Sequence, residues 1–191
     1  MAFNPNSIAD TGLSLVNLLL SSSSSFSPGD IGLYSPGDIP ETSLPKLTLF
    51  LYHISQDPSY VNQEMTRTDI TTMRDPGMAL ELYYMIIPNS SSPATPADRA
   101  LEEHKFIEHA IRSFRKHPLL KDPLLAGGLA GKGYEIRITF NPVQLNDLTN
   151  IWQAFQSRPM KLSVCYRVGP VFVEMDETIT LSRVKSVQLG N

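Results

Sequence analysis

Between the Pro-Gly corner at Pro76 and Gly77 and a second proline at Pro88, ten residues read M-A-L-E-L-Y-Y-M-I-I, and nine of them are apolar or aromatic. A run of this kind, bounded by turn residues, is the pattern of a strand buried on both faces. Alternation puts Met78, Leu80, Leu82, Tyr84 and Ile86 on one face and Ala79, Tyr83, Met85 and Ile87 on the other, with Glu81 the single charge. A strand with two apolar faces needs cover on both sides, so the segment from Asp75 to Pro88 has to be the middle of a layered structure.

The rest of the chain supplies that cover. Ser7 to Leu20 reads as a helix, with Ser7 as cap, Asp10 at the third position of a capping box, and Ile8, Thr11, Leu15 and Leu18 at helical spacing. Five serines, Ser21 to Ser25, end it. The sequence S-P-G-D-I then occurs twice, at Ser27 to Ile31 and Ser35 to Ile39. Pro followed by Gly suits the centre of a type II turn, which predicts an exposed loop or arm over residues 21–45 with little part in the fold. Lys46 to His53 is a second apolar strand able to pair with the first. Thr95, Pro96 and Asp98 form the start of a helix whose apolar stripe is Leu101, Ile107, Ala110, Ile111 and Phe114 and whose last turns carry Arg112, Arg115 and Lys116. After a glycine-rich loop, Tyr134 to Phe140 alternates with Tyr134, Ile136, Ile138 and Phe140 inward. A short helix follows over Leu145 to Phe155, and Leu162 to Val173 and Glu177 to Val184 are further strands. Helices before, between and after strands predict an α+β fold, a single domain over residues 1–191 with one mixed or mainly antiparallel sheet flanked by helices.

Composition narrows the chemistry. The formal net charge of −3 over 191 residues gives no electrostatic footprint for nucleic acid, and 41% hydrophobic content can fill a core. Cys165 is the single cysteine and lies in the apolar run L-S-V-C-Y-R-V, which excludes an internal disulfide or a cysteine-based metal site. The first apolar segment has no Lys or Arg ahead of it, and no run approaches the ~18 apolar residues of a membrane span. The expectation is a protein made and kept in the cytoplasm without direct membrane insertion.

Three motifs invite a catalytic reading and each falls short. G-G-L-A-G-K-G, Gly127 to Gly133, has Ala126 and Gly133 where a phosphate loop needs Gly and Ser or Thr, and it leads into a strand. His104 and Glu108 stand one helical turn apart and could share a metal, but His104 and His109 diverge by roughly 140° around the helix, and a third ligand is missing. No serine sits in a G-x-S-x-G elbow. The aromatic residues Tyr83, Tyr84 and Trp152 lie on apolar stripes and read as core. No residue is assigned as catalytic, cofactor-binding or metal-ligating.

Four segments, in order, carry a resemblance: L-Y-H-I-S-Q-D-P-S-Y-V-N (Leu51 to Asn62), R-D-P-G-M-A-L-E-L-Y-Y-M-I (Arg74 to Ile86), E-H-K-F-I-E-H-A-I-R-S-F-R-K-H-P-L-L (Glu103 to Leu120), and L-N-D-L-T-N-I-W-Q-A-F with R-P-M-K-L-S-V-C-Y-R-V (Leu145 to Val168). Together they resemble the cap, or tail-terminator, proteins of extracellular contractile injection systems, the phage-tail-like particles. The family usually has Pro-Pro where this chain has Pro76-Gly77, and the serine tract with its S-P-G-D-I echo is peculiar to this sequence. The resemblance implies a structural subunit of a hexameric ring that closes the inner tube and the last sheath layer, with no catalytic residues. Its partners would be further copies of itself, tube protein and sheath protein. Two other readings are an orphan metal-dependent hydrolase using His104 and Glu108, and a generic adaptor.

Overall fold

The computed structural model describes residues 6–40, 43–61, 66–67, 72–74, 77–91, 95–155, 158–173 and 178–180. In chain order the elements are α1 (Ser7–Ser21), β1 (Ile31–Leu33), β2 (Leu47–Gln56), β3 (Thr66–Arg67), β4 (Thr72–Arg74), β5 (Met78–Pro88), α2 (Pro96–Lys116), β6 (Leu119–Leu120), β7 (Ile136–Phe140), α3 (Leu145–Gln153), β8 (Val164–Val173) and β9 (Thr178–Thr180). Six strands form one sheet in the order β1-β2-β5-β8-β7-β6, so the long apolar run is central, and β3-β4-β9 form a separate small sheet that the sequence did not reveal. Asp75, Pro76 and the predicted strand residues after Thr180 lie outside the described residues.

The main sheet is mixed. β1 runs parallel to β2, while β2 with β5, β5 with β8, β8 with β7 and β7 with β6 are antiparallel. β5 is paired along its length on both sides, from Leu47 opposite Pro88 to Gln56 opposite Leu80, and from Ile86 opposite Val164 to Met78 opposite Val173. Its two faces are covered as alternation requires. Leu80, Leu82, Tyr84 and Ile86 pack with Leu15, Leu18 and Leu19 of α1 and Ile107, Ala110 and Phe114 of α2. Met85 and Ile87 pack on the other side with Trp152 of α3 and Cys165 of β8. Met78, at the strand's start, is exposed.

The helix caps separate a correct reading from a mistaken one. At α2 the Thr95 hydroxyl accepts from the Asp98 amide and the Asp98 carboxylate accepts from the Thr95 amide, the reciprocal box expected from the sequence. At α1 the cap position is Asn6, with no side-chain cap bond. Ser7 and Asp10 are buried instead, and Asp10 reaches a distant loop, where its carboxylate accepts from the Gly128 amide.

The stretch over 21–45 is no appendage. The first S-P-G-D is the expected turn, with Asp30 N–H donating to the Ser27 carbonyl and Gly29 at φ 97°. The second is a turn of 3-10 helix over Pro36–Asp38 in which Gly37 keeps a negative φ. Between them Ile31–Leu33 joins the sheet edge, and Phe26, Ile31, Pro36 and Ile39 are buried. The expectation of an arm with little part in the fold is therefore corrected: short apolar residues punctuating the polar stretch find cover on the sheet.

Candidate interaction surface

The residues that suggested a metal do not assemble one. Glu108 turns to the Arg112 guanidinium one helical turn on, and His104 is exposed. Among the described residues no three His, Cys, Asp or Glu side chains are grouped to hold an ion. The neighbouring His109 points inward, with Nε2 3.3 Å from the Leu19 carbonyl, 3.2 Å from Ser22 Oγ and 3.3 Å from Ser113 Oγ. The Phe26 ring packs on its imidazole at 4.7 Å. These contacts close the C-terminal end of α1, where carbonyls lack helical partners, and they give the serine tract a structural use that its composition did not announce.

The glycine-rich loop is occupied from within. Gly128 N–H donates to Asp10 Oδ2 at 2.8 Å, and Ala126 N–H donates to Ser14 Oγ at 2.8 Å. Gly127 sits at φ +57°, and a Cβ there would lie 2.1 Å from Asp10 Oδ1. The acceptors held by these amides are the protein's own, the Asp10 carboxylate at Gly128 and the Ser14 hydroxyl at Ala126, and the turn leads to a strand where a phosphate site would open a helix.

On the face of the sheet beyond α3, Glu81 is satisfied by Arg167 at 3.0 Å and by the Tyr83 hydroxyl, which donates at 2.9 Å. The single charge of the central strand is thus an ion-paired group at the margin of the covered area. Burial pushes the Cys165 thiol up, and burial together with Cys165 pushes the Tyr52 hydroxyl up to about 12. Both groups are held protonated near neutral pH, the reverse of what an activated nucleophile requires.

The surface that stands out is apolar. One groove of about 320 Å³ lies between α1 and the β1 edge, with Leu33 41% and Tyr34 38% exposed. A second, of about 440 Å³, lies between the last turns of α2 and β7. Its floor is a ladder of rings in which Phe114 meets Tyr166 at 4.8 Å and Tyr166 meets Phe140 at 5.4 Å, both edge-on. Phe140 and Ile111 were expected inside but are 52% and 37% exposed. Leu101, also assigned to the apolar stripe, is 58% exposed. The rotation of α2 is set at its start by Glu102 accepting from Ser90 and Glu103 pairing with Lys161, which turns Leu101 outward. Exposed aromatic and aliphatic side chains beside charged rims suit contact with other proteins.

The frame carrying these grooves is a six-stranded mixed sheet with α1 and α2 on one face and α3 on the other. The structure is similar to the sheath/tube terminator of PVC, an extracellular contractile injection system, in its extended state, with TM-score 0.65 and 19% identity over 100% of this chain and 64% of that one. It is also similar to the anti-feeding prophage cap, the AFP tube terminating cap, with TM-score 0.62 and 20% identity over 96% of this chain and 61% of that one. Residues 12–185 match the family described as Pvc16 N-terminal domain, and the chain belongs to that family. It spans under two thirds of the length of the two solved chains. No curated protein matches it. No described helix is long and apolar enough to cross a membrane.

Proposed function

We propose that this chain is a structural subunit of the cap of a contractile injection system, joining with copies of itself in a ring, most simply a hexamer, that ends the inner tube and the last layer of sheath. Membership of the Pvc16 N-terminal domain family across residues 12–185 is the observation that carries the reading. The terminator fold supports it. So do surfaces that offer apolar grooves to proteins and charged groups already tied to one another. The chain works by binding and has no catalytic residues. It acts as part of the particle, assembled in the cytoplasm of the producing cell, with no role for nucleic acid or membrane insertion. A ring needs two different patches on each subunit that meet head to tail and close by rotation.

Electron microscopy of purified particles labelled through a tag on this chain tests the reading. Label at one end of each particle, at the tube tip away from the baseplate, is the expected result. Label along the whole sheath, or none on intact particles, would overturn it.

A further inference from the structure

β2 is ten residues long and its neighbour β1 only three, so β1 pairs with residues 47–49 and stops. Over residues 51–56 the side of β2 away from β5 carries no strand among the described residues. The backbone bonds at the two ends of β2 settle which groups that leaves open. Leu47 N–H donates to the Asp30 carbonyl in the lane of β1, and alternation turns Leu51 the same way. Past the bulge at Tyr52, Asp57 N–H donates to the Ala79 carbonyl on the β5 side, which turns the backbone of Ile54 and Gln56 outward. Leu51, Ile54 and Gln56 have no backbone partner on that side among the described residues. Open edges in natural sheets are guarded by charges or proline. The run L-Y-H-I-S-Q, Leu51 to Gln56, has no Lys, Arg, Asp, Glu or Pro, and Ile54 is 40% exposed on it.

We propose that an extended segment of another protein adds to β2 as a further strand over residues 51–56, in line with β1. The open backbone selects this occupant, because donors and acceptors spaced along a strand are met only by a chain in the extended conformation. The groove between α1 and the β1 edge lies at the head of this lane, with Ile8, Gly12 and Leu51 in its walls. The segment therefore places one apolar side chain there and runs for about six residues, ~20 Å. Pairing with the same edge of a second copy would join like with like and close a dimer, whereas a ring needs two different patches. The contact rests on the cap reading, which supplies protein neighbours, and gives one of them a defined mode of attachment.

Amide hydrogen exchange of the full chain, free and within purified particles, tests the contact. Leu51, Ile54 and Gln56 are expected to exchange quickly in the free chain and about a hundredfold more slowly in particles. Ile54→Pro removes an outward N–H and leaves the β5 ladder whole, so it is expected to lower the copies of the chain per particle about tenfold while circular dichroism stays unchanged. Ile54→Ala keeps that N–H and is expected to hold incorporation within about twofold. Slow exchange already in the free chain, fast exchange in both states, or incorporation indifferent to Ile54→Pro would overturn the contact. Protection that appears on concentrating the free chain would make the occupant a second copy and overturn it too. Should Ile54→Pro fail to fold, the exchange comparison on the unaltered chain decides alone. Particles that hold the chain with this edge still open would remove the interface and leave the cap reading; particles without the chain would remove both.

Discussion

At the scale of single residues, function and fold meet where side chains do something other than their local pattern suggests. Asp10 has the spacing of a capping residue, yet its partner is Gly128, 118 positions away. No local rule could show that, whereas Thr95 and Asp98 three apart were legible because their bond is local. Gly127→Ala is expected to destabilise the fold by roughly 2–3 kcal/mol, from the positive φ and the clash with Asp10 together. Asp10→Ala should recover part of that loss in the double variant, and thermal melts of the four chains would show the coupling. Additive effects would mean the carboxylate and the loop are independent. The buried tyrosines set an alkaline limit. Burial raises Tyr84 and Tyr166, and Tyr52 is pushed up to about 12, all from an ordinary value of 10.0. With the folded value raised, the unfolded chain loses its protons first, so stability is fully present below pH 10 and is lost as pH rises from there through the folded values. The thermal midpoint should fall steeply above pH 10, less so in Tyr84→Phe. A midpoint flat to pH 11.5 would contradict this.

At the scale of elements, the central strand was legible because ten consecutive residues between turn signals can be covered on both faces in few ways. Leu82 is fully buried at 0% exposure, and Leu82→Asp should cost roughly 3–5 kcal/mol, since a carboxylate there has neither water nor a partner. Arg137, exposed on β7, should tolerate alanine within about 0.5 kcal/mol in the isolated chain. Denaturant melts would separate the two, and equal losses would refute the assigned layers. β1 and β6 were not legible. Three and two residues have no period to read, and each is a strand because a neighbour offers an edge: Ile31–Leu33 against Leu47–Leu49, and Leu119–Leu120 against Ile136 and Arg137. Deleting Ser27 to Asp38 therefore removes an edge strand together with buried Ile31 and Pro36, and a loss of roughly 3 kcal/mol or more is expected. An unchanged thermal midpoint would restore the stretch to the status of an arm. Leu101 and Phe140 mark the same limit from the other side. Each fits an inward pattern, and each lies outside because neighbouring polar contacts or the end of a strand decide what is covered.

At the scale of the whole molecule, the layers place α1 and α2 over one face of the sheet and α3 over the other, with apolar grooves where helices meet the sheet near its β1 and β7 margins. What was legible in sequence was the class of fold and the resemblance to caps. The surface was not, because exposure at Leu33, Ile111 and Phe140 depends on where helices end over a sheet and not on hydrophobicity. Under the cap role proposed above, such surfaces are where the subunit meets its protein neighbours. Negative-stain microscopy of particles from a strain lacking this gene, with length and number measured against the parent strain, tests that role most directly. Fewer particles of irregular length, with uniform length returning on complementation by the unaltered chain and failing with Leu82→Asp, are expected. Normal numbers of uniform particles without the gene would contradict the cap assignment.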